Sequence, residues 1–434
     1  MNPLEEKTEL EEKIEQEQKR EKKKFWKGVL CGAAVTLCLA VGVGIFCTAI
    51  VSGIHIFSSS EKKQVENKLQ IIQAIIDKYY LYEDEIDQDA LEQGIYAGYV
   101  NALGDKYTVY YNEEETDALQ ESVSGTYTGI GAALLQNTTS NEVVISKVYK
   151  DSPAEEAGLK EGDVIYQVDD HTISDQSLDE VVSWIRGEEG TDVTLHVVRD
   201  GQQLELKATR KQLETPTVVY EMKENQVGYI AVSEFDEVTL SQFETALNDL
   251  DGQGMEGLII DLRSNPGGNL DTVTDMLKLL LPKGTIVSVK DKAGNVEEYK
   301  SDGSHEFTKP LAVLVNQYSA SASEIFSGAI QDYGIGDIVG VTTYGKGVVQ
   351  QILDLGDGTA MKITIAEYFT PNGRSINKKG VTPDVEVEYQ ADENDPTADN
   401  QMCIRDRYCR SENHLQIARK FKDANFLRYL MSSS

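Results

Sequence analysis

Residues 257–268 read Gly-Leu-Ile-Ile-Asp-Leu-Arg-Ser-Asn-Pro-Gly-Gly, an apolar run that ends in polar residues and a pair of glycines. An uninterrupted apolar run of this length is typical of a strand that is buried on both faces. The glycines carry no side chain, so their backbone N–H groups can point into a cleft and approach a ligand closely. The stretch therefore predicts a central strand of an α/β domain over 257–261, with functional groups just beyond its carboxyl end.

Downstream of this run, helices and buried strands alternate. The apolar spacing predicts a helix over 270–281, a strand over 311–315, a helix over 322–333 and a strand over 337–341. A βαβαβ order of this kind is typical of a mainly parallel sheet. We therefore expect an α/β (α+β) core over residues 211–390.

Two further segments place reactive side chains after predicted strands. Residues 317–324, Gln-Tyr-Ser-Ala-Ser-Ala-Ser-Glu, deliver hydroxyl groups at the amino end of a helix, where developing negative charge is stabilised. Residues 343–350, Thr-Tyr-Gly-Lys-Gly-Val-Val-Gln, place a lysine between glycines. A serine nucleophile needs an unprotonated base, and lysine can serve when burial lowers its pKa from about 10.4. The two segments are consistent with a Ser/Lys pair.

Other reactive centres fit this segment less well. His305 is the only histidine between residues 211 and 390 and lies in a polar loop, which disfavours a Ser/His/Asp triad. Residues 340–347 approach the phosphate-binding pattern GxxxxGK[ST], but Gly347 stands where a hydroxyl residue is required and a strand is predicted next. The five histidines and five cysteines show no ligand spacing, so we expect no metal and no other cofactor.

The preceding segment, residues 121–210, is rich in short predicted strands. The patterns predict strands over 142–148, 163–168, 192–198 and 203–208, and a helix over 178–185. This segment resembles a PDZ domain in three strings: Gly129-Ile-Gly-Ala132, Ser152-Pro-Ala-Glu-Glu-Ala-Gly-Leu159 and Glu161-Gly-Asp-Val-Ile165. A PDZ groove binds a peptide carboxylate at a glycine-bearing loop and adds the peptide to an open sheet edge. The resemblance implies that this loop consists of Gly129, Ile130, Gly131 and Ala132.

Further strings resemble the carboxy-terminal processing (tail-specific) protease family. They are Leu262-Arg-Ser-Asn-Pro-Gly-Gly268, Ser319-Ala-Ser-Ala-Ser-Glu324, Thr343-Tyr-Gly-Lys-Gly347, Pro371-Asn-Gly-Arg-Ser-Ile376 and Gly380-Val-Thr-Pro-Asp384. The resemblance spans roughly residues 61–390, including the PDZ segment. It implies a crotonase-like protease core and a Ser/Lys serine endopeptidase that recognises protein or peptide C-termini.

Position by position, the resemblance also implies the roles of individual site residues. They are the nucleophile Ser321, the general base Lys346, the lysine-orienting Gln350, and the backbone amides of Gly267 and Ala322 as oxyanion hole. Ser319 and Ser323 are the alternatives to Ser321, although both can instead cap the helix that follows. An inactive PDZ peptide-binding scaffold at the cell surface is the alternative function, and the intact Ser321, Lys346 and Gln350 argue against it.

The amino-terminal segments predict a membrane anchor. Residues 1–24 are rich in Glu and Lys, whereas residues 28–57 contain no Asp, Glu, Lys or Arg and are long enough to cross a bilayer. Lysines directly before the apolar run keep the amino end inside the cell. We therefore expect 25–57 to be a single-pass anchor in a bacterial cell membrane, with the catalytic part extracytoplasmic. A cleaved secretion signal is the competing interpretation.

The remaining segments carry less information. Residues 58–120 show helical apolar spacing, which predicts either a spacer or a surface that pairs with a second copy of the chain. The net charge of -32 disfavours nucleic-acid binding, because it repels phosphate backbones.

Beyond a linker at 391–401, the composition changes sharply at Met402. Residues 402–434 contain seven Lys and Arg against three Asp and Glu, although the whole chain has 41 against 73. The string Met-Cys-Ile-Arg-Asp-Arg at 402–407 can be encoded by the mosaic-end DNA of transposon libraries. We therefore expect a chimeric tail, and the alternative is a basic amphipathic helix. Genomic sequencing across codon 402 decides between them, since a contiguous native gene contradicts the chimera.

Overall fold

The structure is a computed structural model that describes residues 59–137, 140–174 and 176–388. Its described residues fall into two compact units, 59–89 and 90–388. Four predicted segments lie outside the described residues: the charged segment 1–24, the anchor 25–57, the linker 391–401 and the tail 402–434. Among the helices of the described part, none is long and apolar enough to span a bilayer.

The first described residues are helical, as the sequence predicts. Helix α1 covers Ser59–Tyr79, a 3₁₀ turn covers Glu83–Glu85, and α2 covers Gln88–Asn101. The short strand β1, Val109–Tyr111, then interrupts the helical region, which the sequence analysis does not predict. Helix α3 covers Glu113–Ser124 and begins with a capping box at Asn112.

Residues 126–214 form a small β-rich domain with two short helices. Its elements are β2 (Thr126–Gly129), β3 (Ala132–Gln136), β4 (Val143–Val148), α4 (Pro153–Glu156), β5 (Val164–Val168), β6 (His171–Thr172), α5 (Leu178–Ile185), β7 (Asp192–Arg199), β8 (Gln202–Thr209) and β9 (Lys211–Glu214). The main sheet has the order β3-β4-β5-β7-β8, and β6 pairs with β5. The four predicted strands and the predicted helix agree with these bounds to within one residue.

The edge of this sheet matters for peptide binding. Among the described strands, β3 pairs only with β4, so its other side is free to accept an added strand. Strand β2 instead pairs with β9 in a separate two-stranded sheet. The loop from Gly129 to Ala132 therefore connects that small sheet to the free edge strand.

The remaining residues form an α/β core. Its elements are β10 (Val218–Lys223), a 3₁₀ turn (Glu224–Gln226), β11 (Val227–Val232), α6 (Thr239–Gly252), β12 (Gly257–Asp261), α7 (Leu270–Lys278), β13 (Gly284–Asp291), β14 (Val296–Ser301), β15 (Leu311–Val315), α8 (Ala322–Tyr333), β16 (Asp337–Gly340), β17 (Val348–Asp354), β18 (Ala360–Phe369) and β19 (Val385–Glu386). A six-stranded sheet has the order β10-β11-β12-β15-β16-β19. Only β10 is antiparallel to its neighbour, which confirms the predicted mainly parallel sheet.

The core contains a second sheet. It has the order β1-β18-β13-β14, and β17 also pairs with β18. Strand β1 therefore belongs to this second sheet, although it lies within the region predicted to be helical. Helix α7 ends at Lys278 rather than at the predicted residue 281, and Pro282 disfavours helical backbone at Leu281, the last residue of the predicted span.

Strands β12 and β15 bring the glycine pair and the serine-rich segment together. All ten residues of the two strands are buried, and the strands are parallel, with Asp261 opposite Leu314. Their carboxyl ends therefore meet at one edge of the sheet. The glycine pair follows β12, and the serine-rich segment follows β15.

Candidate active site

Ser321 occupies a strained position at the amino end of α8. Its φ of 55° and ψ of -113° are unusual for a residue with a side chain, and such conformations persist where the surrounding structure enforces them. The side chain is half-buried and lines a cleft of about 590 Å³. Ser321 is therefore held in a fixed position at a helix amino end, where negative charge is stabilised.

The two alternative serines are engaged elsewhere. Ser319 is fully buried, and its Oγ donates to Leu262 O at 2.7 Å. Ser323 is also fully buried, and its Oγ donates to Asn265 O at 3.0 Å. Both hydroxyls are hydrogen-bonded to carbonyl groups of residues that follow β12, so neither is free to act as a nucleophile.

The glycine pair lies directly against Ser321. A Cβ atom at Gly267 would lie 2.8 Å from Ser321 Cβ and 3.0 Å from Ala322 N, so no other residue fits without displacing the backbone. Gly267 N–H donates to Asn265 Oδ1 at 2.8 Å, and Asn265 Nδ2 donates to Val232 O. In this structure the Asn265 side chain thus occupies one of the two amides that the family resemblance assigns to the oxyanion hole.

Lys346 lies in the loop between β16 and β17 and lines the same cleft. Burial lowers the pKa of Lys346 below its ordinary value of 10.5, and the nearby Lys362 lowers it further. The charges of Glu324, Tyr344 and Asp105 oppose this shift by raising the pKa. Since burial is the largest influence, the neutral amine is more accessible than in an exposed lysine.

An aromatic ring shields this lysine from one side. Lys346 Nζ lies 5.0 Å from the centroid of the Tyr107 ring, which belongs to the segment just before β1. Lys106 lies at a similar distance from the same ring and contacts the Tyr344 hydroxyl. The region predicted to be a helical spacer therefore contributes a side chain to the surroundings of Lys346.

Glu324 joins the serine segment to the lysine loop, a role that the sequence analysis does not identify. Its carboxylate is fully buried and accepts four hydrogen bonds. The donors are Ser321 N at 2.9 Å, Lys346 N at 2.8 Å, Gly345 N at 2.7 Å and Thr343 Oγ1 at 2.5 Å. Burial raises the pKa of Glu324, while these hydrogen bonds oppose the shift. The signal in the sequence is a Glu three residues after the Ser that starts a helix.

Tyr368 and Gln350 reach the same region from the second sheet. The buried Tyr368 hydroxyl lies 3.0 Å from Ser321 O and also contacts Lys346 O. Gln350 lines the cleft from β17, and its Nε2 donates to Thr364 Oγ1 at 3.3 Å. The structure thus brings five predicted residues to one cleft: Ser321, Lys346, Gln350, Gly267 and Ala322. Their individual roles remain predictions.

Two carboxylates that the sequence analysis does not identify also line the cleft. Asp236 is only 5% exposed, and Glu234 is half-buried. Burial, followed by the charge of Glu234, raises the pKa of Asp236 to about 6. Burial also raises the pKa of Glu234. The ionised forms of both groups are therefore disfavoured in the fold.

Asp236→Asn is expected to stabilise the protein at pH 8 by about 1–3 kcal/mol, from 1.36 kcal/mol per pKa unit. The folded-state pKa of Asp236 exceeds its usual value, so wild type loses stability as the pH rises from about 4 to about 6. Urea unfolding at pH 4 and pH 8 checks this, with Glu237→Gln as the exposed control. If the difference in unfolding free energy between Asp236→Asn and wild type is the same at pH 4 and pH 8, the expectation is contradicted.

The predicted PDZ loop adopts a conformation that requires its glycine. Gly131 has a φ of 78°, and a Cβ atom there would lie 2.5 Å from Ser152 Cβ. Ala154 N donates to Ile130 O at 2.7 Å, and Tyr149 N donates to Gly131 O at 3.0 Å. The loop is therefore fixed beside the amino end of β3.

His305, the only histidine of the core, lies in an exposed loop and does not line the cleft that contains Ser321 and Lys346.

Comparison with known proteins agrees with this architecture. A family model described as peptidase family S41 matches residues 226–387, and a PDZ domain model matches residues 144–199. A Staphylococcus epidermidis protein named "Probable CtpA-like serine protease" is 34% identical over 373 residues, which are 84% of this chain and 74% of that protein. The carboxy-terminal processing protease CtpB of Bacillus subtilis is 34% identical over 336 residues, 76% of this chain and 69% of CtpB.

A solved structure is also similar. The photosystem II D1 C-terminal processing protease is 30% identical, with a TM-score of 0.43, and the match covers 71% of this chain and 85% of that one. The two curated relatives exceed 30% identity over more than two thirds of their own lengths. The chain therefore belongs to peptidase family S41, as a serine protease of the C-terminal processing type that carries a PDZ domain.

Proposed function

We propose that the chain is a membrane-anchored, extracytoplasmic endopeptidase that cleaves the C-terminal tails of proteins with a Ser321/Lys346 dyad. One observation carries the proposal: a lysine with a pKa lowered by burial lines the same cleft as a serine held at a helix amino end. A lysine whose pKa is lowered becomes neutral, and so able to accept a proton, at a lower pH than an exposed lysine.

The proposed reaction needs one proton acceptor and one anion site. Neutral Lys346 takes the proton of Ser321 Oγ, and the oxygen attacks the carbonyl carbon of the scissile peptide bond. The amides of Gly267 and Ala322 stabilise the resulting oxyanion. The Lys346 ammonium then protonates the leaving amine, and a water molecule repeats the sequence on the acyl-enzyme. The family resemblance assigns the orientation of the lysine to Gln350.

This mechanism requires one local rearrangement. Gly267 N–H donates to Asn265 Oδ1, so the substrate oxygen has to replace that acceptor. Asn265 keeps its second anchor, the bond from Nδ2 to Val232 O. We therefore infer that substrate binding turns the Gly267 amide toward the cleft.

The PDZ domain supplies the proposed selection of C-termini. A peptide end would place its carboxylate at the loop Gly129–Ala132 and add as a strand to the free edge of β3. Incubation of the full chain with a library of C-terminal peptides tests the whole proposal, with Ser321→Ala as the control. If no peptide in the library is cleaved in a Ser321-dependent way, the inactive scaffold is the better description.

The membrane location and the pairing of chains belong to the same proposal. The apolar run 28–57 and the lysines before it support an anchor, and proteinase treatment of intact cells tests the orientation.

Val65, Leu69 and Ile72 of α1 are each at least 39% exposed, which supports a second copy of the chain as partner. Sedimentation of the full chain in detergent tests this, and a monomer contradicts it.

We expect kcat/KM to rise with pH through the pKa of Lys346. Only the neutral amine accepts the serine proton, and burial places this pKa below 10.5. The measurement is kcat/KM between pH 6 and pH 10, with circular dichroism as the control for folding. A rate that is constant with pH throughout this range is incompatible with lysine as the base.

A further inference from the structure

The segment 234–236 runs beside the glycine pair like an extra strand. Phe235 N donates to Gly267 O at 3.0 Å, and Asn269 N donates to Phe235 O at 2.7 Å. These bonds form a parallel bridge between Phe235 and Gly268. Since neighbouring strands lie about 4.8 Å apart, the segment is one strand spacing from the residues that touch Ser321.

The two acidic side chains of this segment lie on the face opposite Phe235. Successive side chains of an extended chain point to opposite faces. Phe235 is fully buried in the apolar core, so Glu234 and Asp236 point the other way. Both line the cleft that contains Ser321 and Lys346.

These carboxylates have no positively charged partner within the described part of the chain. No lysine, arginine or histidine of residues 59–388 outside the gaps forms an ion pair with either side chain. Asp236 is only 5% exposed, and its carboxylate accepts no hydrogen bond from the described residues. Burial and the neighbouring Glu234 both disfavour its ionised form. A buried carboxylate of this kind is costly to the fold unless a ligand compensates it.

We propose that Glu234 and Asp236 form a subsite for a basic side chain, lysine or arginine, of the peptide substrate. The subsite rests on the proposed proteolytic function, because the substrate is the molecule that enters this cleft. A lysine or arginine would place its cation between two carboxylates in a partly dry environment, where charge-assisted hydrogen bonds are strong. The pair would then select substrates by a residue near the scissile bond, independently of the PDZ domain.

Binding to an inactive protein tests the subsite without requiring turnover. The probe is a set of fluorescent peptides with amidated carboxyl ends, which lack the carboxylate that the PDZ loop recognises. The peptides carry Lys, norleucine or Glu at one position at a time. On the full chain with Ser321→Ala, we expect Lys to bind about tenfold more tightly than norleucine at one position, and Glu to bind more weakly.

Matched variants assign the preference to these two residues. Added to Ser321→Ala, Glu234→Gln and Asp236→Asn are each expected to lower the Lys/norleucine ratio, and the double variant to bring it to about one. Glu237→Gln, the exposed neighbour, is expected to leave the ratio unchanged. An unchanged ratio in the double variant, or equal binding of Lys and norleucine to Ser321→Ala at every position, overturns the subsite.

Two further arms separate this proposal from its alternatives. With the chain that retains Ser321, the same peptides give kcat/KM. Absence of cleavage would refute the proposed function, and the Lys/norleucine binding ratio would still decide whether the subsite exists. Addition of EDTA or of Ca²⁺ is expected to leave the ratio unchanged. A ratio that disappears with either addition would identify a free metal ion as the ligand of the carboxylates and overturn the peptide subsite.

Discussion

Replacing Lys346 with methionine is expected to lower kcat/KM by roughly 10⁴-fold or more, and Ser321→Ala is expected to do the same. Methionine retains the length and apolar stem of lysine but cannot accept a proton. The cleft should therefore remain intact, with its nucleophile no longer activated. The measurement is cleavage of one C-terminal peptide by wild type and by each variant at equal protein concentration.

The effects of the two substitutions should not add. If the serine and the lysine act in one proton transfer, the double variant is expected to be about as slow as either single variant. Lys379→Met is the matched control, because Lys379 is exposed and lies outside the cleft. Peptide binding at the PDZ loop should be the same in all variants. Activity of Lys346→Met within tenfold of wild type would exclude lysine as the base.

The secondary structure of the core could be predicted where the sequence is locally unambiguous. The predicted bounds of β12, β15 and α8 agree with the structure, since each is a strongly patterned run bounded by polar or glycine residues. The sequence does not predict strand β1, because its three residues, Val-Tyr-Tyr, carry no detectable periodicity. It exists because it pairs with β18, which is some 250 residues away in the chain.

The residues of the candidate site likewise fall into those that the local sequence predicts and those that it does not. Strings of neighbouring residues that resemble a family predict five site residues, and the structure places all five in one cleft: Ser321, Lys346, Gln350, Gly267 and Ala322. Their supporting residues depend on contacts between distant segments.

Tyr368 and the acidic pair illustrate this limit. Tyr368 lies next to the carbonyl groups of Ser321 and Lys346 only after β18 has joined the second sheet. Glu234 and Asp236 read as an ordinary polar loop until the bridge at Phe235 places them beside the glycine pair. Tertiary hydrogen bonds of this kind leave no pattern in a single sequence.

Glu324→Gln is expected to lower kcat by about 10²- to 10³-fold and the free energy of unfolding by about 2–5 kcal/mol. Each carboxylate oxygen of Glu324 accepts two hydrogen bonds. In glutamine one of these oxygens becomes an NH₂ group, which faces two donors and can accept from neither. The serine segment and the lysine loop would then lose their common anchor.

The pH profile distinguishes this positioning role from a loss of stability alone. The charge of Glu324 raises the pKa of Lys346, so its removal should lower that pKa further. The acid limb of the kcat/KM profile is therefore expected to move to lower pH in Glu324→Gln, even as the plateau falls. Urea unfolding identifies conditions under which both proteins are folded, and Glu298→Gln on β14 is the exposed control. If the acid limb keeps its position while the plateau falls, Glu324 supports the fold without changing the pKa of Lys346. If both the acid limb and kcat are unchanged, the hydrogen bonds of the Glu324 carboxylate have no part in catalysis.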